Sequence, residues 1–121
     1  MLSSKELSQY KKQFSDVDER VSRLFDALGD ANRFKIFMLL MEAKKDICVS
    51  EFADICDISV PAASQQLKSL ELSGLIKRVR MGQTTCYNIK YDDPTVKTLS
   101  KTASNIVAYI SKKKANFFEV S

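Results

Sequence analysis

Histidine is missing from this 121-residue sequence, and glycine, cysteine and proline are scarce, with three, three and two residues respectively. The absence of histidine excludes Ser–His and Cys–His catalytic pairs and histidine-rich zinc sites. None of the glycines belongs to a phosphate-binding loop, and no carboxylate dyad or cofactor loop can be recognised. The sequence therefore predicts a protein that is not an enzyme and holds no cofactor.

Long hydrophobic runs are also lacking. The longest spans Ile36 to Met41 and is too short to cross a bilayer, while Met1 to Phe14 is too polar for a secretory signal. We therefore expect a cytoplasmic protein with no membrane partner. The odd number of cysteines is typical of reduced thiols rather than a disulfide framework. The net charge of +4 favours an anionic partner.

The segment 50–76 predicts two short helices joined by a tight turn. The first covers 50–56 and the second about 60–73, with Pro61 in its first turn and Gly74 where a left-handed cap is needed. One side of the second helix repeats apolar residues at i, i+4 and i+7, namely Ala63, Leu67 and Leu70. This side is predicted to face the core.

The opposite side of the second helix carries small, amide-bearing or cationic side chains: Ala62, Ser64, Gln65, Gln66 and Lys68. Short side chains let a helix approach the floor of the major groove, and glutamine can pair with adenine through two hydrogen bonds. Any soluble amphipathic helix also has a polar outer side. The helix alone therefore does not separate a DNA reader from an ordinary surface helix.

A basic hairpin is predicted directly after Gly74. Residues that favour β-structure occupy 76–80 and 84–91, around a turn at 81–83. Between residues 58 and 90, five cations accompany one carboxylate, that of Glu71. A helix-turn-helix followed by such a hairpin indicates a mainly α fold with a small β-hairpin wing, the winged helix-turn-helix, whose wing (77–90) contacts the DNA backbone or minor groove.

These elements suggest double-stranded DNA as the partner and divide the contacts into two kinds. Phosphate contacts are expected from Lys68, Lys77, Arg78 and Arg80, with Gln83 and Thr84 at the wing tip. Base contacts are expected from Ser64, Gln65 and Gln66, with Ala62 against a thymine methyl group.

Both ends of the chain show apolar residues spaced by three and four, from Leu7 to Leu28 and from Val96 to Ile110. Such narrow seams are typical of coiled-coil packing, and two of them exceed what a small core needs. We expect one domain over 1–121, with a DNA-binding core at about 30–91 and dimerisation helices at about 4–28 and 93–114. A two-fold dimer places its recognition helices ~34 Å apart and predicts a pseudo-palindromic operator. The apolar pair Phe117-Phe118 has no assigned role.

Three segments together resemble the ArsR–SmtB family of small dimeric repressors: ALGDANRFKIFMLL, DICVSEFADICDIS and VPAASQQLKSLELSGLIKRVRMGQTTCYNI. The resemblance covers about Leu24 to Ile89 and depends most on the LGD-x-x-R and S-x-x-L-K-x-L-x-x-x-G-L-I patterns. It implies a homodimeric winged-helix repressor. Such proteins are often released from DNA by a metal or metalloid bound to thiols in the helix before the recognition helix, or to carboxylates and histidines on the last helix.

This chain departs from the family where those ligands would lie. The family pattern Cys-Val-Cys is replaced by Cys48-Val49-Ser50, so only Cys48 matches, and one thiolate is a poor site for a soft ion. We therefore expect no metal site, with Cys48 as a weak candidate. Other readings of Cys48, Cys56 and Cys86 are buried apolar residues, a redox switch formed by two of them, or no effector at all.

Two other functions stay open from the sequence. One is a winged-helix module that binds a protein and not DNA. Such modules often carry acidic residues on the second helix or wing, where this chain has Glu71 alone. The other is a regulator that responds to thiol oxidation.

Overall fold

The computed structural model describes the backbone of residues 1–120 and the side chains of residues 1–112. Over this range the chain forms helices α1 (Ser4–Gln13), α2 (Glu19–Leu28), α3 (Ala31–Ala43), α4 (Val49–Cys56), α5 (Val60–Leu72) and α6 (Pro94–Val120). The strands are β1 (Ile47–Cys48), β2 (Ile76–Met81) and β3 (Thr84–Ile89). Their order confirms the predicted winged helix-turn-helix.

Local capping fixes the helix-turn-helix as the sequence predicted. The Ser59 hydroxyl accepts a hydrogen bond from the Ala62 N–H at 3.2 Å, which caps α5, and Pro61 lies in its first turn. After α5, Gly74 adopts a φ of +87°, a conformation that favours glycine. These caps set where α5 begins and ends.

The three strands form one antiparallel sheet in the order β1-β3-β2. In the hairpin, Arg78 lies opposite Tyr87 and Arg80 opposite Thr85, and Gly82 turns the chain with a φ of +67°. Strand β1 adds two residue pairs on the other edge of β3. The predicted hairpin is therefore confirmed, and β1 extends it to three strands.

The core lies between α3, the helix-turn-helix and the sheet. Phe37 of α3, Phe52 of α4, Leu67 of α5 and Tyr87 of β3 are all almost completely buried. Helix α3 is the central helix of this core, and its residues Ile36, Phe37 and Leu40 have no exposed surface. The inward stripe of α5 is equally buried, which fixes the rotation of that helix about its axis.

The terminal seams extend beyond this core. Helix α1 buries no residue, and the N-terminal seam is interrupted at residues 14–18 between α1 and α2. On α6 the seam begins buried at Val96 and Ala103 and continues with exposed Ile106 and Ile110. The side chains of Phe117 and Phe118 lie outside the described residues.

The expectation of three reduced thiols is wrong for two of them. Cys48 and Cys86 form a disulfide, because β1 pairs with β3 in a register that sets the two residues opposite each other. Their separation of 38 residues along the chain gave no indication of this contact. Cys56 is free and packs against the core as a partly buried apolar residue.

Candidate nucleic-acid interface

Helix α5 presents a polar surface opposite its buried stripe. Gln65 and Lys68 are exposed, and Ala62, Ser64 and Gln66 flank them with partial exposure. This follows from the helical period, because burial of Ala63, Leu67 and Leu70 turns the remaining positions outward. All five residues predicted on the outer side of α5 are thus accessible to a partner, to different extents.

The cations of the wing are exposed but do not share one face. Lys77, Arg78 and Arg80 are all exposed on β2. Successive side chains of a strand point to opposite faces, so Arg78 and Arg80 share the face of buried Ile76, while Lys77 lies on the other face opposite Asn88. The predicted phosphate contacts therefore divide between the two sides of the hairpin.

Arg78 already has partners within the protein. Its Nη2 donates to Oε1 of Glu71 on α5 at 3.2 Å, and its guanidinium carbon lies 6.0 Å from the centre of the Tyr87 ring. The interaction of the Arg78 guanidinium with Tyr87 raises its pKa above the usual value, and the carboxylate of Glu71 adds a smaller effect in the same direction. This contact joins the C-terminal part of α5 to the wing and neutralises the one carboxylate between residues 58 and 90.

Three of the cations predicted to contact phosphate form no ion pair with the described residues. Among the described residues, the ion pairs join Arg20 to Asp18, Arg23 to Glu19 and Arg78 to Glu71. Lys68, Lys77 and Arg80 take part in none of these pairs. The wing tip adds Gln83 and Thr84, both exposed beside Gly82. The surface of α5 and the wing can therefore offer uncompensated positive charge and hydrogen-bond donors.

A contact that the sequence did not predict holds the wing in place. Nδ2 of Asn88 on β3 donates to Oδ1 of Asp46 at 2.8 Å, joining residues 42 positions apart. Asn88 also accepts a hydrogen bond from the Ile89 N–H at 2.8 Å. Because this pairing depends on the register of β1 and β3, no local sequence pattern could have revealed it.

The described residues do not fit a thiol metal site. Cys48 is bonded to Cys86 and cannot act as a thiolate ligand in this state, and Ser50 offers only a hydroxyl. Across residues with described side chains, no three His, Cys, Asp or Glu side chains converge as ligands would.

Among the residues whose side chains are described, no helix has the length and hydropathy needed to span a membrane.

An apolar groove lies between α2 and α6. It has a volume of about 400 Å³ and is lined by Val21, Leu24 and Phe25 of α2 together with Pro94, Thr95, Thr98, Leu99 and Thr102 of α6. Val21 and Phe25 are more than half exposed. Exposed apolar surface of this kind is typical of protein–protein contacts.

Comparison with known proteins identifies the family. Residues 30–78 match the family described as bacterial regulatory protein, arsR family. The cadmium resistance transcriptional regulatory protein CadC of Listeria innocua is 33% identical over 85 residues, which cover 69% of this chain and 71% of that protein. A transcriptional repressor SmtB homolog of Synechocystis is 30% identical over 74 residues, or 61% of this chain and 54% of that protein.

Solved structures share the fold. The homodimeric winged helix-turn-helix DNA-binding domain of a possible ArsR-family regulator from Mycobacterium bovis matches with a TM-score of 0.65 at 22% identity, covering 89% of each chain. Reduced HlyU from Vibrio cholerae matches with a TM-score of 0.64 at 22% identity, covering 81% of this chain and 96% of that one. The chain therefore belongs to the ArsR family and is a transcriptional regulator, not an enzyme, with a winged-helix DNA-binding fold.

Proposed function

We propose that this protein is a dimeric, sequence-specific repressor that inserts α5 into the major groove of an operator. The observation that carries the proposal is the unpaired positive charge of Lys68 on α5 and of Lys77 and Arg80 on the two faces of the wing. Phosphate oxygens are the natural counter-charge for such a surface. The repressor assignment follows the relatives, among them the SmtB homolog.

Within this proposal the two parts of the surface have different tasks. Gln65 is exposed on α5, and its side-chain amide can recognise a base edge through two hydrogen bonds. Ser64 and Gln66, which are partly exposed, flank it. Ala62 is small enough to contact a thymine methyl group. Arg80 and the wing tip bind the backbone or minor groove, and they hold α5 in register without reading sequence themselves.

The proposed dimer uses the apolar surfaces left open on the terminal helices. The groove between α2 and α6 and the exposed residues Ile106 and Ile110 continue directly from the buried seam of α6. Helix α1, which buries nothing in this chain, contributes the exposed residues Leu7, Tyr10 and Phe14. A second copy would cover these surfaces and generate two recognition helices for a pseudo-palindromic operator.

The alternative, a protein-binding module without DNA contacts, is less well supported. A protein partner would have to bind a surface that carries unpaired cations and whose carboxylate, that of Glu71, is already paired with Arg78. The proposal includes no resident cofactor, and it places the protein in the cytoplasm with the DNA.

Selection of bound fragments from a pool of random duplexes tests the proposal. We expect enrichment of an inverted repeat with half-sites one helical turn apart, bound with a steep salt dependence. Light scattering of the complex is expected to give two protein chains per duplex. Recovery of unselected sequence at low and moderate salt would contradict specific binding, and a single chain per duplex would contradict the dimer.

A further inference from the structure

We propose that Cys48 and Cys86 form a reversible thiol–disulfide switch that locks the wing to the helix-turn-helix. The inference deepens the proposed function, on which its effect on DNA depends. The two cysteines lie opposite each other in the β1–β3 ladder and are bonded. Cys56 packs against the core and takes no part.

The position of the bond links the two parts of the DNA-binding surface. Cys48 is the N-cap residue of α4, the first helix of the helix-turn-helix, and its N–H donates to Oε1 of Glu51 at 2.9 Å. Cys86 lies in the middle of β3, within the wing, opposite Val79 of β2. The 38-residue separation encloses α4, α5 and β2, so the bond closes a loop that contains the whole recognition helix.

The strand pairing at this junction is short. Strand β1 has two residues, and its ladder with β3 consists of the pairs Ile47–Tyr87 and Cys48–Cys86. A hydrogen bond between Asp46 and Asn88 and the burial of Ile47 and Tyr87 in the core also hold the two strands together. A ladder this short is weak without a covalent link, because each pair contributes little. Reduction is therefore expected to let the β1 edge open and the wing move against α4.

The exposure of the two cysteine residues assigns their order of reaction. Cys48 is partly exposed, whereas Cys86 has no exposed surface. A peroxide therefore reaches the Cys48 thiolate first, which attacks one peroxide oxygen, breaks the O–O bond and becomes a sulfenic acid. The Cys86 thiolate then attacks the Cys48 sulfur and displaces hydroxide, which leaves as water. Two thiols lose two protons and two electrons, and the peroxide gains them.

The linked form is expected to bind operator DNA more tightly. With the bond intact, α5 and the wing are already held in one arrangement, so less conformational freedom is lost on binding. A small-molecule dithiol reverses the step by thiol–disulfide exchange.

The test compares the full chain after treatment with hydrogen peroxide and after treatment with dithiothreitol. Alkylation and mass spectrometry are expected to find one free thiol in the first state and three in the second, the full count in the sequence. Hydrogen exchange at the amides of β1 and β3 is expected to be about tenfold faster after reduction. Equal exchange in both states, or three free thiols after peroxide, would overturn the inference without reference to DNA.

DNA affinity provides the second readout. We expect the peroxide-treated wild type to bind its selected duplex about three- to tenfold more tightly than the reduced protein. Cys48→Ser and Cys86→Val are expected to match the reduced protein under both treatments, and the control Cys56→Ser to behave as wild type. Redox-independent affinity of the wild type would refute the switch. Absence of specific binding in both states would instead refute the proposed repressor, and the exchange data would still decide the switch.

Discussion

Arg33 of α3 closes the end of the preceding helix by donating from its Nε to the carbonyl oxygen of Ala27 at 2.8 Å. Its Nη2 also donates to the Asp26 carbonyl at 3.3 Å, and its N–H donates to the Asp30 carboxylate at 3.0 Å. The last carbonyls of a helix lack partners within the helix. The LGD-x-x-R pattern therefore has a structural role, which is to fix α2 against α3.

Loss of this contact is expected to destabilise the fold. Arg33→Ala leaves the Ala27 carbonyl without its donor, while the Asp26 carbonyl keeps the Gly29 N–H at 3.0 Å, and we expect a loss of about 1–3 kcal/mol in the free energy of unfolding. Arg33→Lys is expected to recover only part of it, because an ammonium group does not reproduce the planar guanidinium. Urea unfolding measures the effect, with Lys35→Ala, an exposed change on the same helix, as the control. Equal midpoints for the two alanine variants would contradict this role.

The Asp46–Asn88 contact is expected to stabilise the sheet at its β1 edge. Asp46→Ala removes the acceptor for Nδ2 of Asn88, and we expect a loss of about 1 kcal/mol in the free energy of unfolding. Lys45→Ala, a change at the neighbouring exposed residue, is the control and is expected to have almost no effect. Thermal unfolding under one fixed redox condition makes the comparison. A midpoint for Asp46→Ala as high as that of the control would show that the hydrogen bond contributes nothing.

Glu71 is expected to limit DNA affinity. It is the one carboxylate among five cations between residues 58 and 90, and it holds Arg78 at 3.2 Å. Glu71→Gln removes a charge that repels phosphate and releases Arg78, so binding to all duplexes is expected to tighten and the salt slope to steepen by up to about one. Glu42→Gln makes the same charge change at the end of α3, away from this surface, and is expected to have a smaller effect. Fluorescence anisotropy over a salt series measures the affinity and the salt slope of both variants. Weaker DNA binding by Glu71→Gln would contradict the expectation that Arg78, once released from Glu71, binds phosphate.

Phe25 is expected to lie at the proposed dimer contact. Its side chain is 63% exposed and lines the groove between α2 and α6. Phe25→Glu places a charge on this apolar surface, so light scattering at micromolar concentration is expected to shift from dimer to monomer. Ile55→Glu, which changes a residue of 59% exposure on α4 outside the groove, is expected to stay dimeric. Monomer for the wild type, or an identical shift for both variants, would remove the support for this interface.

Much of the fold could be predicted because the residues that begin and end its helices act locally. Ser59, Pro61 and Gly74 determine the ends of α5 through their own hydrogen bonds or backbone angles, which a sequence shows directly. The outer side of α5 follows from the helical period, so the accessible positions could be predicted with it. These features need no knowledge of distant residues.

The features of the sheet that were missed depend on strand register. The Cys48–Cys86 bond and the Asp46–Asn88 contact arise only once β1 pairs with β3, across about 40 residues of chain. The division of Lys77 from Arg78 and Arg80 between two faces likewise depends on which side of the hairpin meets the core. Charge counted along the sequence could therefore locate the basic segment, but it could not show which face of the hairpin each cation lies on.

Paired binding measurements with Gln65→Ala and Arg80→Ala test the central claim most directly. Each variant is titrated with the selected duplex and with a random duplex of equal length over a series of salt concentrations. If Gln65 reads a base and Arg80 binds phosphate, Gln65→Ala loses about 1–3 kcal/mol on the selected duplex alone. Arg80→Ala loses equally on both and lowers the salt slope by about one. Equal losses on the two duplexes for Gln65→Ala, or an unchanged salt slope for Arg80→Ala, would contradict the proposal that α5 and the wing grip DNA in this way.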